Sequence, residues 1–172
     1  MKIITLYIIT ILVLLSCNEV VNKIIIDKKT GNPMLIGRTE LSAFQQSDFS
    51  EWYNNEYFAY EADDFIIEQI KLNIDSISIH IFMGTWCSDS RREVPRFIKI
   101  LDQVEFDQSN LEIINVDREK HSPGKNEKDK NIVYVPTFII NKNYHELGRI
   151  IEYPIITLES DFLDILISLK LD

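Results

Sequence analysis

Residues 77–98 read ISIHIFMGTWCSDSRREVPRFI, and the hydrophobic period changes within this stretch. Isoleucines alternate at positions 77, 79 and 81, which is the period of a β-strand. Further along, Val94, Phe97 and Ile98 recur at the spacing of an α-helix. Cys87 lies between the two patterns, where the strand has ended and the helix is about to begin. The sequence therefore predicts a strand, a turn and a helix, with a cysteine at the N-terminus of the helix.

The position of Cys87 favours a reactive sulfur. A helix N-terminus presents unpaired backbone N–H groups and the positive end of the helix dipole, and both stabilise a thiolate. Trp86 is placed to shield one side of the sulfur, and the Ser90 hydroxyl is placed to donate a hydrogen bond to it. We therefore predict that Cys87, Ser90 and Trp86 are the catalytic residues. The alternative, an inert structural thiol, stays open at this point.

The segments on either side of this unit predict an α/β fold. Upstream, residues 65–74 have the period of a helix. Downstream come a strand at 111–116, a polar stretch, two strands at 137–141 and 144–151, and a helix at 158–169. Strands that alternate with helices imply parallel pairing, whereas the short connection between the last two strands implies an antiparallel hairpin. We expect a central mixed sheet flanked by helices.

The segment at 18–61 predicts an N-terminal extension of this fold. A short tether is followed by apolar runs at 24–26 and 34–36, which flank turn residues and indicate a hairpin. Eight aromatic residues then lie between Phe44 and Phe65, and four of them fall near one face of a predicted helix. We expect this aromatic helix to pack over the domain. The alternative is an aromatic groove for a ligand.

The first 17 residues have the pattern of a targeting segment. Lys2 precedes an apolar stretch at 3–15, which is too short to span a bilayer but has the proportions of a signal peptide. The stretch ends at Leu14-Leu15-Ser16-Cys17, which resembles the lipobox of bacterial lipoproteins. We expect cleavage before Cys17 and lipidation of its sulfur, which would attach the chain to a membrane in the cell envelope, facing the periplasm. The alternatives are a short buried helix and an uncleaved anchor.

The strand–cysteine–helix unit resembles the thioredoxin superfamily, whose motif is Trp-Cys-x-x-Cys at the start of a helix. Pro95, eight residues beyond the cysteine, and Val135-Pro136 at the start of a late strand also match that family. The resemblance covers about residues 62–171. It implies a thioredoxin-like fold and a cis-proline at Pro136, with Val135 and Pro136 binding the substrate beside the sulfur. The chain then divides into a lipoprotein signal peptide at 1–17, the extension at 18–61 and a thioredoxin-like domain at 62–172.

Two residues depart from the pattern of that superfamily. Ser90 stands in place of the second cysteine, so Cys87 cannot close an intramolecular disulfide or release a mixed disulfide unaided. Ile81 stands where many thioredoxins have a buried acid, which removes the usual internal base. The resemblance therefore implies a monothiol site whose adducts are resolved by an external thiol.

Two functions of different classes follow. In the first, the chain is an enzyme that carries out thiol–disulfide exchange on a disulfide-containing or thiol protein, or on a small thiol. In the second, it is a non-enzymatic module that binds an extended peptide or partner protein beside Pro136. The missing second cysteine favours binding, whereas the retained Trp86-Cys87 pair favours catalysis. A peroxide-reducing thiol is disfavoured, because the layout of peroxiredoxins is absent around Cys87.

Composition excludes several other classes of protein. The 172 residues carry 18 basic and 27 acidic side chains, so the formal charge is -9 and nucleic acid is not an expected partner. Two cysteines and three scattered histidines show no spacing typical of metal ligands. We therefore expect no metal and no cofactor. His80, His121 and His145 are predicted to be structural or solvated.

Overall fold

The structure, a computed structural model, describes residues 20–168 and contains one six-stranded mixed sheet. The strands, in chain order, are β1 (Lys23–Ile26), β2 (Pro33–Thr39), β3 (Ile77–Met83), β4 (Leu111–Asn115), β5 (Thr137–Lys142) and β6 (His145–Ile151). Their order across the sheet is β1-β2-β4-β3-β5-β6. Only β3 and β4 are parallel, and every other neighbouring pair is antiparallel. The predicted α/β class with a mixed sheet is confirmed.

Four α-helices accompany the sheet. They are α1 (Ser50–Ala59), α2 (Asp64–Lys71), α3 (Ser88–Gln103) and α4 (Leu158–Ile167). The Asp63 side chain caps α2 by accepting from two backbone N–H groups, and Thr157 caps α4 in the same way with one. Within the described residues no helix is long and apolar enough to cross a bilayer.

All four helices pack on the same face of the sheet. Alternate residues of the central strands, such as Ile79 and Ile81, point to that face and are fully buried against side chains of the helices. There the ring of Phe97 on α3 lies 4.6 Å from that of Phe138 on β5 and 5.2 Å from that of Phe162 on α4, centroid to centroid. The large hydrophobic core therefore lies between one helical layer and the sheet.

The opposite face is covered by the segment that joins β4 to β5. A smaller buried cluster of Phe82, Ile114, Val116, Val135 and Ile139 lies on this face. The half-buried side chains of Trp86, Cys87 and Ile132 pack against it. The predicted site thus lies on the face against which none of the helices within residues 20–168 packs.

The N-terminal extension shares the sheet and the core with the rest of the chain. The predicted hairpin is confirmed as β1 and β2, and β2 also pairs with β4 through Gly37–Thr39. Phe44, Phe49 and Tyr53 are buried in the core, so the aromatic segment packs over the domain as expected. The predicted cleavage and lipidation site at Cys17, with the apolar stretch before it, lies outside the described residues.

Candidate active site

Cys87 is the residue that immediately precedes α3. Its backbone is extended, with φ -96° and ψ 128°, and its N–H donates to the Gly84 carbonyl at 2.9 Å. Its own carbonyl accepts from the Arg91 N–H at 3.1 Å, which is the first hydrogen bond of the helix. The side chain is half-buried. The sulfur therefore lies at the N-terminus of a 16-residue helix, where backbone N–H groups and the helix dipole favour negative charge.

The Cys87 sulfur contacts the loop that precedes β5. Its Sγ donates to the Val135 carbonyl at 3.2 Å, which joins two residues that lie 48 positions apart in the chain. The peptide bond between Val135 and Pro136 is cis, and both side chains are buried. Glu152, just past the end of β6, donates from its backbone N–H to the Pro136 carbonyl at 2.7 Å. The structure thus brings together Cys87, Val135 and Pro136.

Trp86 is held by a hydrogen bond from its indole nitrogen and by contacts to its ring. The indole Nε1 donates to the Val116 carbonyl at 2.8 Å, at the end of β4. The guanidinium of Arg118 lies 4.9 Å from the ring centroid, and the Lys120 ammonium lies 5.9 Å from it. The ring also passes close to Gly84. Trp86 therefore links the cysteine to the start of the β4–β5 segment.

Ser90 is fully buried in the first turn of α3. Its hydroxyl oxygen accepts from the Gly84 N–H at 3.2 Å, whereas the Cys87 thiol donates to Val135. In this state Ser90 holds the turn between β3 and α3, rather than donating to the sulfur as the sequence predicted. The role of Ser90 in a thiolate state stays a prediction.

The arginines of α3 are engaged by neighbours. Arg91 donates from Nε to the Thr85 carbonyl and lies over the Trp52 ring. Arg92 forms ion pairs with Asp89 at 2.8 Å and with Glu93. The negative charge of Asp89 near the sulfur is therefore compensated.

A partly buried ion pair, which no motif in the sequence indicates, lies beside Trp86. Arg118 donates from Nη2 to Asp27 Oδ2 at 2.8 Å and from Nε to both carboxylate oxygens. Asp27 lies in the β1–β2 turn and its side chain is only 4% exposed. The hydrogen bonds from Arg118 and then from Thr30 hold the pKa of Asp27 well below its usual range. The two partners lie 91 positions apart, so no local pattern signals their contact.

His80 and His121 contact polar residues other than Cys87. His80, on β3, faces Glu112 at 3.4 Å and the Asn141 amide at 3.0 Å, and His121 faces Glu127 at 3.5 Å. Among residues 20–168, no group of three or more His, Cys, Asp or Glu side chains is arranged to hold a metal ion.

Comparison with known proteins gives a sequence family and several structural neighbours. A family model described as "Thioredoxin" matches residues 39–160. No curated protein matches the chain. A protein of unknown function from Pseudomonas aeruginosa has 14% identity and a TM-score of 0.54, over 78% of this chain and 93% of its own. An HIV epitope-scaffold has 16% identity and a TM-score of 0.50, over 76% and 83% of the two chains. Mitochondrial thioredoxin 3 from Saccharomyces cerevisiae, in its oxidized form, has 18% identity and a TM-score of 0.33, over 56% and 86%.

Proposed function

This chain belongs to the thioredoxin family, and on that premise we propose that it carries out thiol–disulfide exchange through the single thiol of Cys87. The observation that carries the proposal is the position of the sulfur. Cys87 precedes the first residue of α3, and its Sγ lies 3.2 Å from the Val135 carbonyl, next to Pro136. The proposed nucleophile therefore lies beside the Val135–Pro136 peptide, which is the proposed contact for the substrate backbone.

The first chemical step is attack on a substrate disulfide. The Cys87 thiolate forms a bond with one sulfur of the disulfide, and the bond between the two substrate sulfurs breaks. The products are a mixed disulfide on Cys87 and one free substrate thiolate, which takes up a proton. Val135 and Pro136 position the substrate backbone, and Trp86 shields the sulfur from one side.

The second step needs a thiol from outside the chain. Ser90 occupies the position of a resolving cysteine, and a hydroxyl cannot break a disulfide. An external thiolate attacks the substrate sulfur of the mixed disulfide, and Cys87 leaves as a thiolate. The substrate disulfide has then exchanged one partner, and the number of disulfides is unchanged. This outcome is that of an isomerase or a thiol-transfer enzyme.

We further propose that the reaction takes place at the cell envelope, with the chain anchored by a lipid on Cys17 and facing the periplasm. The support is the order of Lys2, an apolar stretch and the Leu14-Leu15-Ser16-Cys17 site. Mass spectrometry of the protein purified from membranes tests this part separately. We expect a chain that begins at an acylated Cys17, and an intact Met1 or an unmodified Cys17 would contradict the anchor.

A binding module is the second candidate, and an exposed apolar surface favours it. Val133 and Tyr134, directly before Val135, are exposed, as are Ile151 and Tyr153 at the end of β6. The hydrogen bond from Glu152 to Pro136 places these two segments side by side. Such a surface suits an extended peptide whether or not Cys87 reacts.

A single pair of measurements separates the two functions. The first follows exchange between a peptide disulfide and a small thiol, catalysed by the chain without residues 1–17. The second measures binding of the same peptide in reduced form. We expect the wild type to accelerate exchange and Cys87→Ser to abolish the acceleration. Binding without any acceleration by the wild type would reject exchange and support the binding module.

A further inference from the structure

One pair of charged residues near Cys87, Asp27 and Arg118, lies outside the strand–cysteine–helix unit. The charged side chains near the site are Asp89, Arg91 and Arg92 on α3, Arg118, Glu119 and Lys120 on the β4–β5 segment, and Asp27 in the β1–β2 turn. Arg92 already compensates Asp89. Asp27 forms an ion pair with Arg118, whose guanidinium lies against the ring of Trp86.

Arg118 is held in a fixed place by contacts on two sides. Asp27 accepts hydrogen bonds from its Nε and Nη2, and the ring of Trp86 lies against the guanidinium at 4.9 Å. A cation between a carboxylate and an indole face has little freedom to move. The guanidinium is therefore kept beside the residue that immediately precedes Cys87.

The β1–β2 hairpin, which contains Asp27, is hydrogen-bonded to the turn that precedes Trp86. The backbone N–H of Leu35, on β2, donates to the buried hydroxyl of Thr85 at 3.1 Å, in the turn just before Trp86. Asp27 also orders its own turn by accepting from the Thr30 hydroxyl and the Lys29 N–H. A cavity of about 170 Å³ remains between this turn and Trp86, and Arg91 and Arg118 both line it.

We propose that Arg118 is a positioning residue for the reaction of Cys87, and that Asp27 sets how much of its positive charge the sulfur experiences. The part of this inference that concerns disulfide exchange rests on the proposed function. The two residues act in opposite directions. Arg118 stabilises the thiolate, whereas Asp27 destabilises it, both directly and by neutralising Arg118.

The titration of Arg118 agrees with this arrangement. Its pKa is raised, chiefly by the hydrogen bond to Asp27, and negative charge on Cys87 adds to the same effect.

The test measures the pH–rate profile for alkylation of Cys87 by iodoacetamide, a neutral reagent, on the chain that begins at residue 18. The variants are Asp27→Asn, Arg118→Gln and the double variant. We expect Asp27→Asn to move the midpoint of the profile to lower pH and Arg118→Gln to move it to higher pH. Each shift should be about half a unit, or about threefold in rate below the midpoint. The double variant should lie between them, close to the wild type.

Two controls distinguish this effect from a loss of structure. Arg96→Gln removes an arginine that pairs with Glu56 across α1 and α3, and it should leave the midpoint unchanged. Arg118→Gln leaves a carboxylate buried without its partner and is the variant most at risk of unfolding. Asp27→Asn keeps an acceptor for the turn, and the double variant leaves no unpaired charge. Thermal unfolding of every variant reports the structural cost.

Opposite shifts in the two single variants support the inference, because loosening of the site would move both in the same direction. The inference would be overturned if the midpoints of the two single variants shifted in the same direction. It would also be overturned if Asp27→Asn were folded and kept the wild-type midpoint. The alkylation profile does not depend on turnover of disulfides. Failure of the proposed exchange activity with opposite shifts intact would therefore be recognised as a separate result.

Discussion

The indole ring of Trp86 lies against Gly84 so closely that a Cβ on Gly84 would stand 2.5 Å from two ring atoms. Such a contact is shorter than packed side chains tolerate, so only glycine at position 84 allows the ring to reach the Val116 carbonyl. The position of Trp86 beside Cys87 thus depends on the absence of a Cβ atom at Gly84.

Gly84→Ala should therefore displace Trp86 and lower the free energy of unfolding by about 1–3 kcal/mol, the usual range for overpacking. Chemical denaturation measures the loss. Gly84→Ala combined with Trp86→Ala removes the clash, so the alanine at 84 should then cost much less than it does in the wild type. An equal cost in both backgrounds would show that the clash is not the cause.

Ser90→Cys should convert the site into a dithiol couple. The new sulfur would lie one turn into α3, within the same buried turn, and would resolve mixed disulfides on Cys87. With only a reductase as electron donor, we expect no catalytic reduction of insulin-type disulfides by the wild type and measurable turnover by the variant. Ser90→Ala, which also loses the hydroxyl, is the control and should stay inactive. Robust turnover by the wild type would show that another group resolves the adduct.

Tyr60→Phe should destabilise the chain more than Tyr57→Phe. The Tyr60 hydroxyl donates to buried Glu159 on α4, and burial raises the pKa of Tyr60. Removing the Tyr60 hydroxyl takes one hydrogen-bond donor from the buried Glu159 carboxylate. This loss should lower the free energy of unfolding by about 1–3 kcal/mol. The Tyr57 hydroxyl donates to Asp102 at an exposed contact, so its loss should cost within about 0.5 kcal/mol. Equal losses in the two unfolding curves would contradict a structural role for Tyr60.

His80 should make the chain less stable in mild acid. Burial lowers the pKa of His80 below its ordinary 6.5, so the unfolded chain binds a proton at a pH where the folded chain does not. The stability gained from neutral His80 is present above pH 6.5 and is lost as the pH falls through the lowered value. The slope is at most about 1.4 kcal/mol per pH unit.

The measurement compares unfolding of the wild type and His80→Gln between pH 8 and pH 5. Glutamine offers the Asn141 amide an acceptor, as the His80 ring nitrogen does, so it is a conservative replacement. We expect the difference between the two proteins to change over this range. A constant difference for His80→Gln would mean that this ring titrates as it does in the unfolded chain.

The sequence predicted the local elements of the fold because each has a periodic signal. The strand before Gly84, the amphipathic helix after Cys87 and the hairpin at residues 24–36 all form where the hydrophobic pattern indicated. The meeting of Cys87 with Val135 followed from a family resemblance, since no pattern within the chain joins two residues so far apart.

Contacts between polar residues that are far apart in the chain could not be predicted from the sequence. Asp27 and Arg118 look like ordinary members of a turn and of a charged loop, and only the folded chain shows that one neutralises the other. Likewise, periodicity shows which side of each helix is apolar but not which face of the sheet it covers, so the gathering of all four helices on one face was not predicted.

The segment between β4 and β5 supplies the site from both of its ends. Arg118 stands near its beginning, and Val135 and Pro136 close it, so a single stretch of chain carries both the charge beside Trp86 and the backbone carbonyl that meets the sulfur. A change in the conformation of this segment could therefore reach the cysteine by two routes, through the ring of Trp86 at one end and through the Val135 carbonyl at the other.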